Sequence, residues 1–227
     1  FAGIKPILFD CVRRSGLRDA YVEMITTRGI APKGVRDPRH YQNRFYAFAI
    51  PYVWILRPEQ FEQGVALHVA RDVKRIETTA VDPRATNVPW GDFTRGLFEA
   101  YAAGSDNVIL LNERGELTEG PGFNLFAVIG GELYTPAEGI LEGITRRCVL
   151  ELGEQLGLHP TATAMRADML DRADEIFLTS TAGGVMPVTR FNTEPIGRGT
   201  PGPVTRQVHD AYWAMHADPR WSTPVNY

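Results

Sequence analysis

Of the 24 basic residues in this chain of 227, only three are lysine: Lys5, Lys33 and Lys74. Chemistry that runs through a lysine amine therefore has few carriers. Cysteine is as scarce. Cys11 and Cys148 are the only two, sit far apart in apolar, helical-looking contexts, and read as reduced cytosolic thiols rather than a disulfide framework. No apolar run approaches the roughly 18 residues of a membrane span, and the opening does not read as a signal peptide. No basic block is long enough to follow a phosphate backbone, and the formal net charge is −3, so nucleic acid is not the expected partner. His40, His68, His159, His209 and His216 show no metal-ligand spacing. A G-x-S-x-G elbow, a dinucleotide glycine fingerprint, repeats and low-complexity tracts are all missing. These absences leave a soluble, cytoplasmic protein acting on a small molecule. Opening at Phe1 without an initiator methionine, the sequence reads as a fragment or as the ordered part of something longer.

What is present is 44% hydrophobic and 22% charged, enough for one large domain or two small ones with a proper core. Apolar spacing over residues 6–17 predicts a short amphipathic helix stopped near Gly16, and residues 20–27 alternate like a half-buried strand. Residues 28–43 carry Gly29, Pro32, Gly34 and Pro38 and predict a long, mobile loop of the kind that is usually functional. The aromatic run 44–56 is too apolar to face water, with Pro51 marking a bulge or a change of sheet. A strand over 65–76 leads into a proline-containing loop, 78–90, and a helix over 93–103 that Asp92 would cap. Strands over 107–112, 123–129 and 132–135 follow, the last two joined by a tight turn at Gly130-Gly131. Then come a glycine-entered helix over 144–157, a helical turn at 169–173, strands over 175–181 and 185–190, and a closing helix over 205–217. The order is mixed α and β, without the regular alternation of a doubly wound sheet.

Four constellations are chemically suggestive. Gly143-Ile144-Thr145 opens a helix, where free backbone N–H groups, a hydroxyl and the positive dipole end together hold a phosphate, or where Thr145 simply helps to cap. Thr179-Ser180-Thr181-Ala182-Gly183-Gly184 ends a buried strand in hydroxyls and glycines, which suits an anion or marks a plain turn. Glu119, boxed by glycines before a buried strand, either pairs with a cationic ring nitrogen or is a solvated turn charge. Arg36, in the long loop, is either a bidentate clamp for a substrate carboxylate or an exposed loop arginine.

Together these segments resemble the pyridoxal-phosphate enzymes of fold type IV: branched-chain and D-amino-acid aminotransferases and, most closely, the (R)-selective amine transaminases. The stretches that carry the likeness are VDPRATNVPWGDFTRG from Val81, LTEGPGFN from Leu117, GELYTPAEGILEGITR from Gly131, ADEIFLTSTAGGVMPV from Ala173, and AYWAMH near the C-terminus. The resemblance implies an α+β, D-amino-acid aminotransferase-like large domain of mixed sheets with flanking helices. It divides the chain into a partial N-terminal half, 1–85, and a cofactor-domain-like half, 86–227, and implies a homodimer with pockets at the subunit interface. It places Glu119 at the pyridine nitrogen, Ile144 and Thr145 with Thr181 at the cofactor phosphate, Ser180 and Ala182 near the substrate, and Arg36 as a mobile carboxylate switch.

Two departures qualify the likeness. Thr86 stands where the family's K-N-x-x-W-G-D pattern has the lysine that carries the cofactor, and threonine has no amine to condense with an aldehyde or to run the proton shift of transamination. Lys74 lies on an earlier strand, where similar enzymes carry a basic residue with no covalent role. The family's smaller N-terminal domain, which supplies an arginine to the phosphate and one wall of the pocket, is not represented. The expectation is a lysine-less class IV aminotransferase-like protein that holds pyridoxal phosphate or another phosphate compound non-covalently, if at all. It would act on a small keto acid, ester or amine by hydrolysis or a keto-acid reaction, with Thr86 as catalytic nucleophile or polar anchor. Two alternatives stand beside it: an amine:pyruvate transaminase whose lysine is replaced by Thr86 to trap a ligand, and a non-catalytic binder of a phosphate compound.

Overall fold

The structure is a computed structural model that describes residues 3–227. It falls into two compact units, one running through Val53 and taking in Ser222–Tyr227, the other Trp54–Trp221. In the first, α1 (Ile4–Ser15) ends at Gly16, whose left-handed φ of 70° suits glycine. β1 (Ala20–Ile30) and β2 (Gln42–Pro51) pair antiparallel, with a register shift between Thr27 and Ile30. The C-terminal residues return to this unit: Lys5 Nζ donates to Thr223 Oγ1 at 3.0 Å, and the Tyr227 hydroxyl donates to the Leu17 carbonyl at 2.6 Å. The expected loop is shorter than residues 28–43, because β1 runs on to Ile30 and Pro38–His40 form one helical turn. The run from 44 onward was expected to avoid water, yet Phe45, Tyr46 and Phe48 are 37%, 53% and 40% exposed in this chain. A two-stranded ribbon has too little surface to bury both of its faces.

The second unit is built on one mixed sheet. Its strands are β3 (Val65–Lys74), β4 (Asn107–Leu111), β5 (Asn124–Ile129), β6 (Glu132–Pro136), β7 (Thr161–Thr163), β8 (Glu175–Ser180), β9 (Gly184–Phe191) and β10 (Glu194–Pro195), ordered β4-β3-β9-β8-β5-β6-β7 with β10 on β9. β3 pairs parallel with β4 and β9, whereas β9, β8, β5 and β6 are successively antiparallel. β3, bonded to β4 and β9, belongs to the second unit, and the two compact units divide at Val53–Trp54.

Strict alternation sorts the side chains of the central strands. Leu125, Ala127, Ile176 and Leu178 join one buried cluster, and Phe126, Val128 and Phe177 another. The second cluster lies with Val149 of α3 (Ile144–Gln155) and Val208 of α4 (Pro203–Met215). Burial on both faces is why these strands read as continuous apolar runs. A third cluster joins Ala70, Val108 and Leu110 to Phe93 and Ala100 of α2 (Gly91–Ala102). Helix α4 is tied to the sheet at its start: the Glu175 carboxylate on β8 accepts from the Val204 and Thr205 N–H groups at 3.0 and 2.7 Å, serving donors that no helical carbonyl can reach. Among the described residues no helix is long and apolar enough to cross a membrane.

Candidate functional site

The ends of several of these elements converge on a cavity of 370 Å³ that lies wholly within the second unit. Arg75, just past β3, contributes the only buried cation of its wall. Its Nη1 donates to Asp92 Oδ2 at 2.6 Å and its Nη2 to Glu119 Oε1 at 3.1 Å, and the guanidinium lies 4.2 Å from the centre of the Phe93 ring. Glu119 Oε2 accepts in turn from the Leu141 N–H at 2.7 Å. One cation thus serves two carboxylates, which leaves the cluster with an excess of one negative charge.

The two carboxylates titrate in opposite directions from their ordinary values. Burial pushes the Glu119 carboxyl above the usual range, and the Leu141 N–H and Arg75 only partly offset it. For Asp92 burial also works upward, but hydrogen bonds from the Ile76 N–H and from Arg75 outweigh it and hold the carboxyl below the usual range. Asp92 is not the helix cap expected of it. Helix α2 begins at Gly91 after Trp90, so Asp92 lies in its first turn, and its carboxylate reaches back to Arg75 and to the Ile76 N–H at 2.9 Å.

On another wall stands the first turn of α3. Its N-cap is Gly143, with no side-chain cap, so the first-turn N–H groups are left for water or a ligand. Glycine is required there by close approach, since a Cβ would collide with Asn124 Oδ1. Asn124 Nδ2 donates to the Leu141 carbonyl at 2.8 Å and pins the strand of chain that enters the helix. Thr145 is buried, and its hydroxyl lies 3.3 Å from that of Tyr212 rather than capping the helix. The Ile144 side chain is exposed, leaving its backbone as the group available to a ligand.

Thr179, Ser180 and Thr181 complete the wall. Thr179 Oγ1 is buried and, among the described residues, has no hydrogen-bond partner, an arrangement costly enough to call for explanation. Ser180 Oγ accepts from the Ala182 N–H at 3.1 Å. Thr86 lines the cavity from an exposed position on the loop after β3, and among the described residues its hydroxyl makes no hydrogen bond.

The structure therefore brings together Thr86, Glu119, Ile144, Thr145, Ser180 and Thr181 of the residues singled out in the sequence. Ala182 lies outside the wall, with its N–H on Ser180 and its carbonyl accepting from the Ile55 N–H at 2.7 Å. Arg36 belongs to the first unit, where it is exposed. Lys74, the one lysine of the second unit, lines a different cavity, with Arg71, Phe191 and Asn192. Arg75 and Asp92 were not singled out as site residues. The lone signal for Arg75 was an arginine closing an apolar strand.

The amino-transferase class IV family profile matches residues 2–191 of the chain. The branched-chain-amino-acid aminotransferase of Salmonella typhimurium is 30% identical over an alignment of 227 residues, covering 96% of this chain and 72% of that protein. Among solved structures, the branched-chain aminotransferase of Thermoproteus uzoniensis with norvaline superposes with a TM-score of 0.86 at 27% identity, covering 97% of this chain and 73% of that one. The Thermobaculum terrenum enzyme in its PLP-form gives 0.85 at 28%, covering 96% and 73%.

Proposed function

Because the chain belongs to the class IV aminotransferase family and has its type IV fold, we propose that the cavity binds pyridoxal phosphate, or another phosphorylated zwitterion, without a covalent bond, and that the chain does not transaminate through a lysine. The observation that carries this is the charge layout. One cavity holds both the net-negative cluster of Arg75, Asp92 and Glu119 and the open N-terminus of α3, while Thr86 and no lysine is among its lining residues. A ligand with a protonated ring nitrogen and a phosphate satisfies both ends.

The residues present fit that group. Pyridoxal phosphate, when bound, supplies a ring that draws electrons from a substrate carbon. Glu119 has lone pairs left after Arg75 and the Leu141 N–H are served, and these would accept from a protonated ring nitrogen. The Ile144 and Thr145 N–H groups with the Thr145 and Thr181 hydroxyls would hold the phosphate, and the unpartnered Thr179 hydroxyl would gain a partner. Thr86 and Ser180 would face a small keto acid, ester or amine, with Thr86 as nucleophile or anchor. The names of the relatives make small aliphatic amino and keto acids the first ligands to try. Arg36 as a carboxylate clamp, Ala182 near the substrate and a homodimeric assembly belong to the same proposal.

A second reading, a non-catalytic binder, is favoured by one observation: no histidine, lysine or cysteine is among the lining residues, which leaves the Glu119 and Glu142 carboxylates as the only bases of the wall for Thr86. Mass spectrometry after borohydride treatment tests the common part. Wild type is expected to carry no pyridoxyl adduct and Thr86→Lys to gain one, whereas a wild-type adduct on Lys74 or elsewhere overturns the proposal. Titration with pyridoxal phosphate and with pyridoxal tests the cup. The phosphate form should bind tighter, and a Thr145→Ala, Thr181→Ala double variant should narrow the gap. Ester or keto-acid turnover that Thr86→Ala abolishes favours the catalytic reading, and its absence favours the binder.

A further inference from the structure

The second unit holds another cavity, of 290 Å³, whose character is opposite to the first. Aromatic rings make its walls. The Trp54 and Trp213 ring centres are 6.1 Å apart and mutually tilted, Phe61 lies 4.2 Å from the ring of His209, and Trp213 meets Tyr212 edge-on at 5.4 Å. Rings that brace one another in this way form a wall before any ligand arrives. The chain also approaches closely here: Gly184, at a φ of +69°, lies so near Tyr212 and Trp213 that a Cβ would sit 2.8 and 3.0 Å from their rings.

Within this apolar surround His209 presents a polar atom that the fold leaves unmet. His209 Nδ1 is 2.9 Å from the Val185 carbonyl oxygen. A carbonyl only accepts, so Nδ1 carries the hydrogen, and in the neutral ring Nε2 is a bare acceptor. Among the described residues Nε2 has no hydrogen-bond partner, and the ring is half-buried in the cavity wall. The one charge at the rim, Arg57, has a carboxylate nearby, Glu59 at 4.0 Å. An anion would meet the Nε2 lone pair with repulsion, and a hydrocarbon would bury that lone pair unpaired.

We propose that this cavity is a second small-molecule site, for a neutral aromatic compound bearing a single O–H or N–H donor, which packs against the Trp54 and Trp213 rings and donates to His209 Nε2. It is separate from the first cavity: Thr181 lines one, Gly183 lines the other, and the two have no lining residue in common. The inference does not depend on what the first cavity binds.

The test is a titration of the full chain with 4-methylphenol, toluene and 4-methylbenzoate, followed by ligand-observed NMR. The phenol should bind saturably, about fivefold tighter than toluene, as one ordinary hydrogen bond provides, with the benzoate weakest. His209→Phe keeps a ring in the wall and removes the acceptor, so phenol and toluene should become equal. Should that variant fail to fold, wild type labelled with ¹⁵N-histidine gives the same answer, because the Nε2 resonance of His209 should move with the phenol and stay with toluene. Absence of saturable binding, equal affinity for phenol and toluene in wild type, or an unmoved resonance overturns the proposal. A preference for the benzoate overturns it in favour of an anion at Arg57. Displacement of the phenol by inorganic phosphate overturns it by placing the phenol in the first cavity.

Discussion

Arg75 and Thr86 line the same cavity and are held in different ways. Arg75 is 6% exposed, bonded to carboxylates from α2 and from the turn before β5, and packed on the Phe93 ring. Thr86 is exposed on a loop whose bonds are local, such as Asn87 Nδ2 to the Ala85 carbonyl at 2.9 Å and the exposed pair of Arg84 with Asp82. The contrast teaches that the charged part of the cavity wall is welded into the sheet, whereas the position expected to carry covalent chemistry hangs from it. Nothing in the packing dictates which residue occupies position 86.

The largest effect that would break this comparison is expected at Arg75. Arg75→Met leaves the buried Glu119 and the half-buried Asp92 carboxylates without their cation, at a cost of roughly 3–5 kcal/mol in stability. The urea midpoint should fall accordingly, and adding Glu119→Gln should restore part of the loss. A shift no larger than that of a surface substitution would show that the cluster is not what holds this wall.

A smaller effect sharpens the comparison within the cluster, because its two carboxylates pull stability in opposite directions with pH. Asp92 titrates below its unfolded value, so its contribution is present above the ordinary range near 4 and is lost as pH falls through the folded value. Glu119 titrates above its unfolded value, so its contribution is present below the ordinary range and is lost as pH rises through the raised folded value. Urea midpoints measured from acid to neutral pH should show Asp92→Asn flattening the acid limb and Glu119→Gln flattening the limb above it. The smallest effect belongs to Thr86→Ala, which should change stability by no more than about 0.5 kcal/mol, as expected of an exposed side chain without partners. A larger loss in a thermal melt would mean that the loop is better fixed than its bonds suggest.

Much of the second unit was legible because its signals are local. The turn between β5 and β6 falls at Gly130 and Gly131, both at positive φ, 60° and 85°, as a tight hairpin demands. Helix α3 starts at Ile144, the residue that the glycine-containing entry indicated. What escaped depends on partners remote in sequence. Arg75 meets Asp92 and Glu119 only once β3, α2 and the turn before β5 have docked, and no spacing rule connects them. The same pull moved Asp92 off its expected cap, since a buried guanidinium outweighs a helix terminus. In the first unit, residues 44–53 of the aromatic run misled because apolar composition says that a surface wants a cover and not whether this chain supplies one.

The return of residues 222–227 to the first unit bears on the order of synthesis. Tyr227 bonds to Leu17 and places its ring 3.7 Å from the Arg18 guanidinium, so the second unit is, in topology, an insertion between two parts of the first. A chain made from its N-terminus folds unit by unit as it emerges. Here α1, β1 and β2 gain their contacts with residues 222–227 only after Trp54–Trp221 has been made.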